Sequence, residues 1–182
     1  MLISREKRKT NIAEYILYMW QVEDTIRAFE FDIDRLERDL ISKFDQPGNV
    51  KKEIRDWYEN LAINMKNDKV EKVGHVSFIT NVINELYGFH LLLLNKPEES
   101  DYNQMYASVM PLIREMNARQ KWSANNEIET CLNAVYLYLM MRLRNDKITP
   151  ETSGAMDHFI KFLGMLSLKF KAFEDASGEA EA

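Results

Sequence analysis

The sequence predicts an all-α protein, a six-helix up-down-type bundle with a long N-terminal heptad-patterned helix. Between Asn11 and Phe44, apolar residues recur at two positions of a seven-residue repeat, which is typical of a helix packed along its whole length. One position holds Ile12, Met19, Ile26, Ile33 and Leu40, and the other holds Tyr15, Val22, Phe29 and Leu36. The chain also has only 6 Gly and 4 Pro and no sustained strand-like alternation, which argues against a turn-rich β fold.

The first helix is expected to be continuous, because no Pro or Gly lies within its repeat. At ~1.5 Å per residue it would be about 50 Å long. Acidic residues flank the repeat, namely Glu23, Glu30, Glu37, Asp32 and Asp39. Pairing two copies along this seam would place acid against acid in either direction, so the seam is expected to face helices of its own chain.

Five further helices are predicted from apolar spacing and from the breakers between them. They cover residues 50–65, 69–94, 101–118, 126–144 and 150–174, and their short connections favour antiparallel neighbours. The fifth is apolar nearly all round from Ala134 to Met141, so we expect it at the centre of the bundle. The length predicts one domain, residues 1–174, followed by a disordered acidic tail, residues 175–182.

Charge and cysteine content limit the partners and the compartment. The net charge of −5 disfavours non-specific binding to nucleic acid or to anionic membranes, although a basic arm at Arg5–Lys9 leaves nucleic acid as the weakest hypothesis. The single cysteine, Cys131, fits a reducing compartment. No secretory signal is evident, and the longest apolar run is far shorter than the ~20 residues that span a bilayer. We therefore expect a cytoplasmic protein without membrane contact.

No pattern in the sequence indicates a catalytic or metal centre. A di-iron bundle needs Glu-x-x-His, which does not occur, and His75 and His90 lie too far apart on one predicted helix to share a metal. Each histidine is expected to be a hydrogen-bonded core or boundary residue. Cys131 follows apolar spacing and is expected to be a buried, unreactive thiol. We expect no metal and no cofactor, and the absence of nucleophile or phosphate-loop motifs favours a non-enzyme.

A second apolar set on the first helix is a candidate contact patch. Leu17, Trp20 and Phe31 lie off the heptad seam, so the helix is either buried on two sides or presents these residues to a protein partner. We favour a protein that acts through protein–protein contacts, with a second copy of itself as the possible partner.

A polar cluster supports the alternative function. Arg119, Lys121 and Trp122 lie in one predicted connection and are candidates for holding an anion or a ligand. Together with Tyr18 and His90, they would serve a small-ligand-binding protein or an enzyme with an interhelical pocket.

The opening of the chain resembles a known family. Arg5-Glu6-Lys7-Arg8-Lys9 is followed by Asn11-Ile12-Ala13-Glu14-Tyr15-Ile16-Leu17-Tyr18-Met19-Trp20-Gln21-Val22-Glu23-Asp24. This stretch is similar to the start of domain-of-unknown-function family 4924, and the length of the chain suits that family. The resemblance implies an origin in Bacteroides-type bacteria and a cytoplasmic protein. It implies no catalytic or binding residues.

Overall fold

The computed structural model describes residues 2–119 and 124–180, and their side chains from 4 to 118 and from 124 to 177. The described residues form only helices and the turns between them, which confirms the all-α class. The α-helices are α1 (Leu2–Thr10), α2 (Ile12–Ala28), α3 (Ile33–Asp39), α4 (Gly48–Asn67), α5 (Ser77–Leu94), α6 (Ser100–Arg119), α7 (Glu127–Leu143) and α8 (Pro150–Ala180). A 3₁₀ turn, Ile41–Lys43, follows α3. The predicted count of six helices is therefore too low.

The prediction of one long N-terminal helix is wrong, because two α-helices, α2 and α3, and the 3₁₀ turn cover that region. The chain leaves α2 through Glu30 and Phe31, whose φ angles are 55° and 63°. The Phe31 amide donates to Ile26 O and the Glu30 amide to Arg27 O, which is the Schellman pattern that closes a helix. The Asp32 carboxylate then accepts from the Arg35 amide and starts α3. Ile26 is nevertheless fully buried, and Ile33 is half-buried.

Two other helices end in the same way. Lys69, with φ 59°, closes α4 through the Val70 amide to Met65 O, and Asn145, with φ 57°, closes α7 through the Asp146 amide to Met141 O. The segment after α4 is thus a loop, not the start of the helix predicted at residue 69. That helix, α5, begins at Ser77, where the Asp68 carboxylate accepts from the Ser77 amide.

The described chain forms two compact units. Unit 1 runs up to Arg8 and then from Glu14 to Val82, and unit 2 comprises Lys9–Ala13 and the chain from Ile83 onward. In unit 1, α3 packs on the 3₁₀ turn and on α4, and in unit 2, α6, α7 and α8 pack on one another. The boundary at residue 174 and the disordered tail stay predictions, and α8 continues to Ala180.

Helix α7 does not occupy the centre of a bundle as predicted. Its first half is buried, with Ile128, Cys131 and Leu132 at 0% exposure. In its second half, Leu137 is 37% exposed and Leu143 is 66% exposed. The uniform apolar run from Ala134 to Met141 therefore lies partly at the surface of unit 2. None of the described helices combines the length and the apolar character required to cross a membrane.

Candidate functional site

The predicted contact patch of Leu17, Trp20 and Phe31 is not one exposed surface. Trp20 is 1% exposed and belongs to the core, so it cannot take part in a surface contact. Leu17 and Phe31 are half-buried, and the ammonium nitrogen of Lys66 lies 5.4 Å from the centre of the Phe31 ring. For Trp20, the structure favours burial of α2 on two sides over a contact patch.

The predicted polar candidates cannot be placed as a site. Arg119 is the last residue of α6 and its side chain lies outside the described residues, as do Lys121 and Trp122. The other residues of that hypothesis, Tyr18 and His90, lie in different units.

A buried acid in unit 1 organises the loop between α4 and α5. Glu23 on α2 is 0% exposed, with one carboxylate oxygen 2.6 Å from His75 Nδ1 and the other accepting from the Val76 amide at 2.8 Å. The His75 ring stacks on Trp20 at 4.3 Å and 11°. The expectation that His75 is a hydrogen-bonded boundary histidine is confirmed, since its side chain is 24% exposed.

Arg27, one turn further along α2, holds the same loop. Its guanidinium donates to Val70 O and Gly74 O and forms an ion pair with Asp24 at 2.8 Å. Gly74 has a φ of +91°, a conformation that favours glycine. Glu23, His75 and Arg27 together therefore fix the entry to α5. Both carboxylate oxygens of Glu23 are hydrogen-bonded, one to the Val76 amide and one to the His75 ring. The arrangement therefore indicates a structural role for Glu23, which anchors the loop to α2.

The buried histidine of unit 2 lies among aromatic rings. His90 is 0% exposed, its Nδ1 lies 2.6 Å from the Tyr102 hydroxyl, and the rings of Tyr106 and Phe162 lie 4.8 and 5.9 Å away. Its Nε2 has no hydrogen-bond partner among the described residues. Burial lowers the pKa of His90 to about 4, because it disfavours the charged imidazolium. The negative charge of Glu127 raises this pKa by a smaller amount. The imidazole is therefore neutral at pH 7.

The other ionisable groups of this interior are also held in their neutral forms. Burial raises the pKa of the Cys131 thiol and that of the Tyr102 hydroxyl. Cys131 is 0% exposed, which confirms the expected buried thiol. A thiol that stays protonated is a poor nucleophile and a poor metal ligand. No group of three or more potential metal ligands occurs among the residues that the structure describes.

A groove in unit 1 combines apolar and charged side chains. Its volume is about 690 Å³. The lining comprises Arg5, Phe44, Asp45, Gln46, Val50, Glu53, Ile54, Asp56, Trp57 and Asn60. The groove could not be predicted from the sequence, because the 3₁₀ turn that brings Phe44 beside α4 lies inside the region predicted as one helix.

An apolar face of α8 is exposed in unit 2. Ile160 is 44% exposed and Leu168 is 70% exposed, and the exposed Gly164 lies between them at intervals of four residues. The opposite side of this helix is buried, at Phe159, Leu163, Leu166 and Phe170, and the exposed residues were not among the candidates predicted from the sequence. The sequence did contain a signal for this face, because Ile160 and Leu168 form a second apolar set on one helix, as Leu17 and Trp20 do on α2.

Comparison with known proteins gives one match. The model of a family described as "Domain of unknown function (DUF4924)" matches residues 1–177. No curated protein and no solved structure matches the chain. The match extends over nearly the whole sequence and agrees with the resemblance seen in its opening residues. The chain therefore belongs to the DUF4924 family.

Proposed function

We propose that this protein acts through protein–protein contacts and that its partner is a second copy of the same chain. The observation that carries the proposal is the exposed face of α8, which is complementary to itself. In this proposal the protein is a cytoplasmic homo-oligomer without a catalytic role. The lone, buried Cys131 agrees with a reducing compartment.

The face is narrow and continuous. At ~100° per residue, Ile160 and Leu168 lie about 40° to either side of Gly164, and Asp157 and Lys171 lie about 20° to either side. Asp157, Ile160, Gly164 and Leu168 are exposed, and the Lys171 side chain is 40% exposed. These five residues thus form one stripe over four turns of helix.

A two-fold axis through Gly164 pairs this stripe with itself in the antiparallel sense. Ile160 of each copy then meets Leu168 of the other, and Asp157 of each copy meets Lys171 of the other. A parallel pair would instead oppose like charges. Lys171 already forms an ion pair with Asp175 on the same helix, and because that pair is exposed, exchanging it for Asp157 costs little.

Gly164 supports a close approach of the two helices. A Cβ added there would meet nothing within 4 Å, so nothing in the described chain requires glycine at this position. A glycine in a helix interior costs about 1 kcal/mol relative to alanine. A second helix backbone crossing at Gly164 would explain the glycine, since alanine would hold the helices apart.

The experiment is a charge reversal followed by sedimentation equilibrium. Asp157→Lys places Lys against Lys171 at both ends of the contact and is expected to weaken association by tenfold or more. The double variant Asp157→Lys/Lys171→Asp restores opposite charges and is expected to recover it. One helix crossing another buries less than the ~1,200 Å² of standard interfaces, so we expect micromolar dissociation for the unmodified protein.

Alanine substitutions supply a second, independent test. Gly164→Ala is expected to raise the melting temperature of the monomer and to weaken association. The matched control is Gly88→Ala on α5, which is also exposed and has nothing within 4 Å of an added Cβ. It should stabilise the fold without changing association. A protein that stays monomeric at several hundred micromolar, or a double variant that does not recover association, would overturn the proposal.

A further inference from the structure

We propose that the groove beside α4 in unit 1 binds a basic amphipathic helix of a partner protein. The apolar side chains of that helix would pack on Phe44 and Trp57, and its Lys and Arg side chains would pair with Asp45, Glu53 and Asp56. This site lies in the other unit from the α8 face and does not depend on the association proposed above.

The shape of the groove suits an elongated occupant. Four of its lining residues on α4, Val50, Ile54, Trp57 and Asn60, follow one another at intervals of four, three and three residues, and Glu53 and Asp56 also lie on this helix. From the first to the last, this row extends about 15 Å at ~1.5 Å per residue. A bound helix of three turns has the same length, and anchoring residues at such intervals are the usual basis of helix-in-groove recognition.

The floor of the groove is apolar and partly accessible. Phe44, Val50 and Trp57 are half-buried, and Ile54 is buried beneath them at 6% exposure. The Trp57 ring packs edge-on against Tyr58 at 5.2 Å, which fixes its orientation. Large aromatic side chains held rigidly in a groove are typical anchors of protein–protein contacts.

The rim of the groove is acidic and not neutralised. Asp45, Glu53 and Asp56 are exposed and form no ion pair with any described residue, whereas the lining contains one cation, Arg5. Three carboxylates against one guanidinium attract a positively charged ligand and repel an acidic one. Gln46 and Asn60 add uncharged hydrogen-bonding groups. Charge complementarity therefore selects a basic helix among possible occupants.

The test is fluorescence anisotropy with two labelled 14-residue helical peptides of identical leucine spacing. One carries Lys at its polar positions and the other carries Glu. We expect micromolar binding of the Lys peptide, no binding of the Glu peptide, and weaker binding as salt concentration rises. The variant Asp45→Asn/Glu53→Gln/Asp56→Asn is expected to lower the affinity at least tenfold, with helical content by circular dichroism unchanged.

The matched control separates this site from the overall acidity of the chain. Glu71→Gln/Glu98→Gln/Asp146→Asn removes the same charge from three exposed carboxylates that do not line the groove, and it should keep at least half of the affinity. Trp57→Leu should weaken binding without changing the salt dependence. Equal losses in the two triple variants would overturn the proposal. Displacement of the peptide by hexyltrimethylammonium would identify a small cation as the occupant, and loss of the protein's own association when the Lys peptide is added would identify a second copy. Either result would also overturn the proposal.

Discussion

The two units bury a polar side chain in contrasting ways. In unit 1, Glu23 is fully enclosed and both of its oxygens are hydrogen-bonded, to His75 and to the Val76 amide. In unit 2, His90 is enclosed by aromatic rings and retains one nitrogen without a hydrogen-bond partner among the described residues. Glu23 connects α2 to a loop, whereas His90 lies between helices as a neutral ring.

The contrast shows that the free-energy cost of burying a polar group depends on whether its hydrogen bonds are satisfied. A buried group with all its hydrogen bonds satisfied ties segments together, and its removal leaves several partners unsatisfied. A buried histidine held neutral by its surroundings is instead sensitive to protonation, because the charged form is disfavoured by the lack of solvent. Loss of Glu23 should therefore destabilise the protein at pH 7, whereas the effect of His90 should appear in acid.

The largest expected effect follows removal of the buried acid. Glu23→Ala leaves the Val76 amide and His75 without their acceptor, and each unsatisfied buried group costs about 1–3 kcal/mol. We expect the free energy of unfolding in urea to fall by about 3–4 kcal/mol in total. Glu23→Gln, whose amide oxygen can still accept from Val76, should lose about half as much.

The control for this prediction lies on the same helix. Glu14 is exposed and pairs with Lys7 at 2.8 Å, so Glu14→Ala should cost less than about 1 kcal/mol. If Glu23→Ala were no more costly than Glu14→Ala, the anchoring role of Glu23 would be excluded. Hydrogen exchange should also accelerate first at Val76, just before α5, if the loop opens.

The second prediction concerns pH and unit 2. His90 has a pKa of about 4 in the folded protein, below its ordinary value of 6.5, because burial disfavours the imidazolium. Between these two values the unfolded chain binds a proton that the folded chain does not. The contribution of His90 to the free energy of unfolding is therefore fully present above pH 6.5. It decreases as the pH falls and levels off below about pH 4, with a total loss of at most ~3 kcal/mol.

Other groups also titrate in this range, so a matched variant is needed. His90→Gln retains a hydrogen-bonding group towards Tyr102 but carries no proton in acid. The difference in unfolding free energy between the original protein and this variant should change between pH 7 and pH 4.5. A constant difference for His90→Gln would contradict the prediction.

The elements that could be predicted from sequence are those set by local rules. Apolar spacing and breakers such as Pro47-Gly48 and Thr149-Pro150 located the five helices α4 to α8, although α5 begins eight residues later than predicted, because these signals act within a few residues. The Glu23–His75 contact joins residues 52 apart, and no local pattern records it. Glu23 looked like an ordinary flanking acid of the heptad repeat, since its burial depends on the path of the distant loop.

The break after α2 escaped prediction for a different reason. A helix that ends in a Schellman motif usually has Gly at the residue with positive φ, and the sequence has Glu30 there. The heptad pattern continues across the break because Ile26 and Leu36 are both buried, in α2 and in α3. Apolar periodicity therefore indicates which residues face the core. It does not indicate whether those residues lie on one helix or on two.

The smallest expected effect tests this break and again compares the units. Glu30→Gly removes the steric cost of a left-handed side chain, which is about 1 kcal/mol or more, although greater freedom of the unfolded chain offsets part of the gain. We expect a net stabilisation of roughly 0.5–1 kcal/mol by urea unfolding. In unit 2, Asn145→Gly should give only a few tenths of a kcal/mol, because asparagine already tolerates this conformation. Destabilisation by Glu30→Gly would mean that α2 and α3 form one continuous helix in solution, since glycine would then weaken a helix interior.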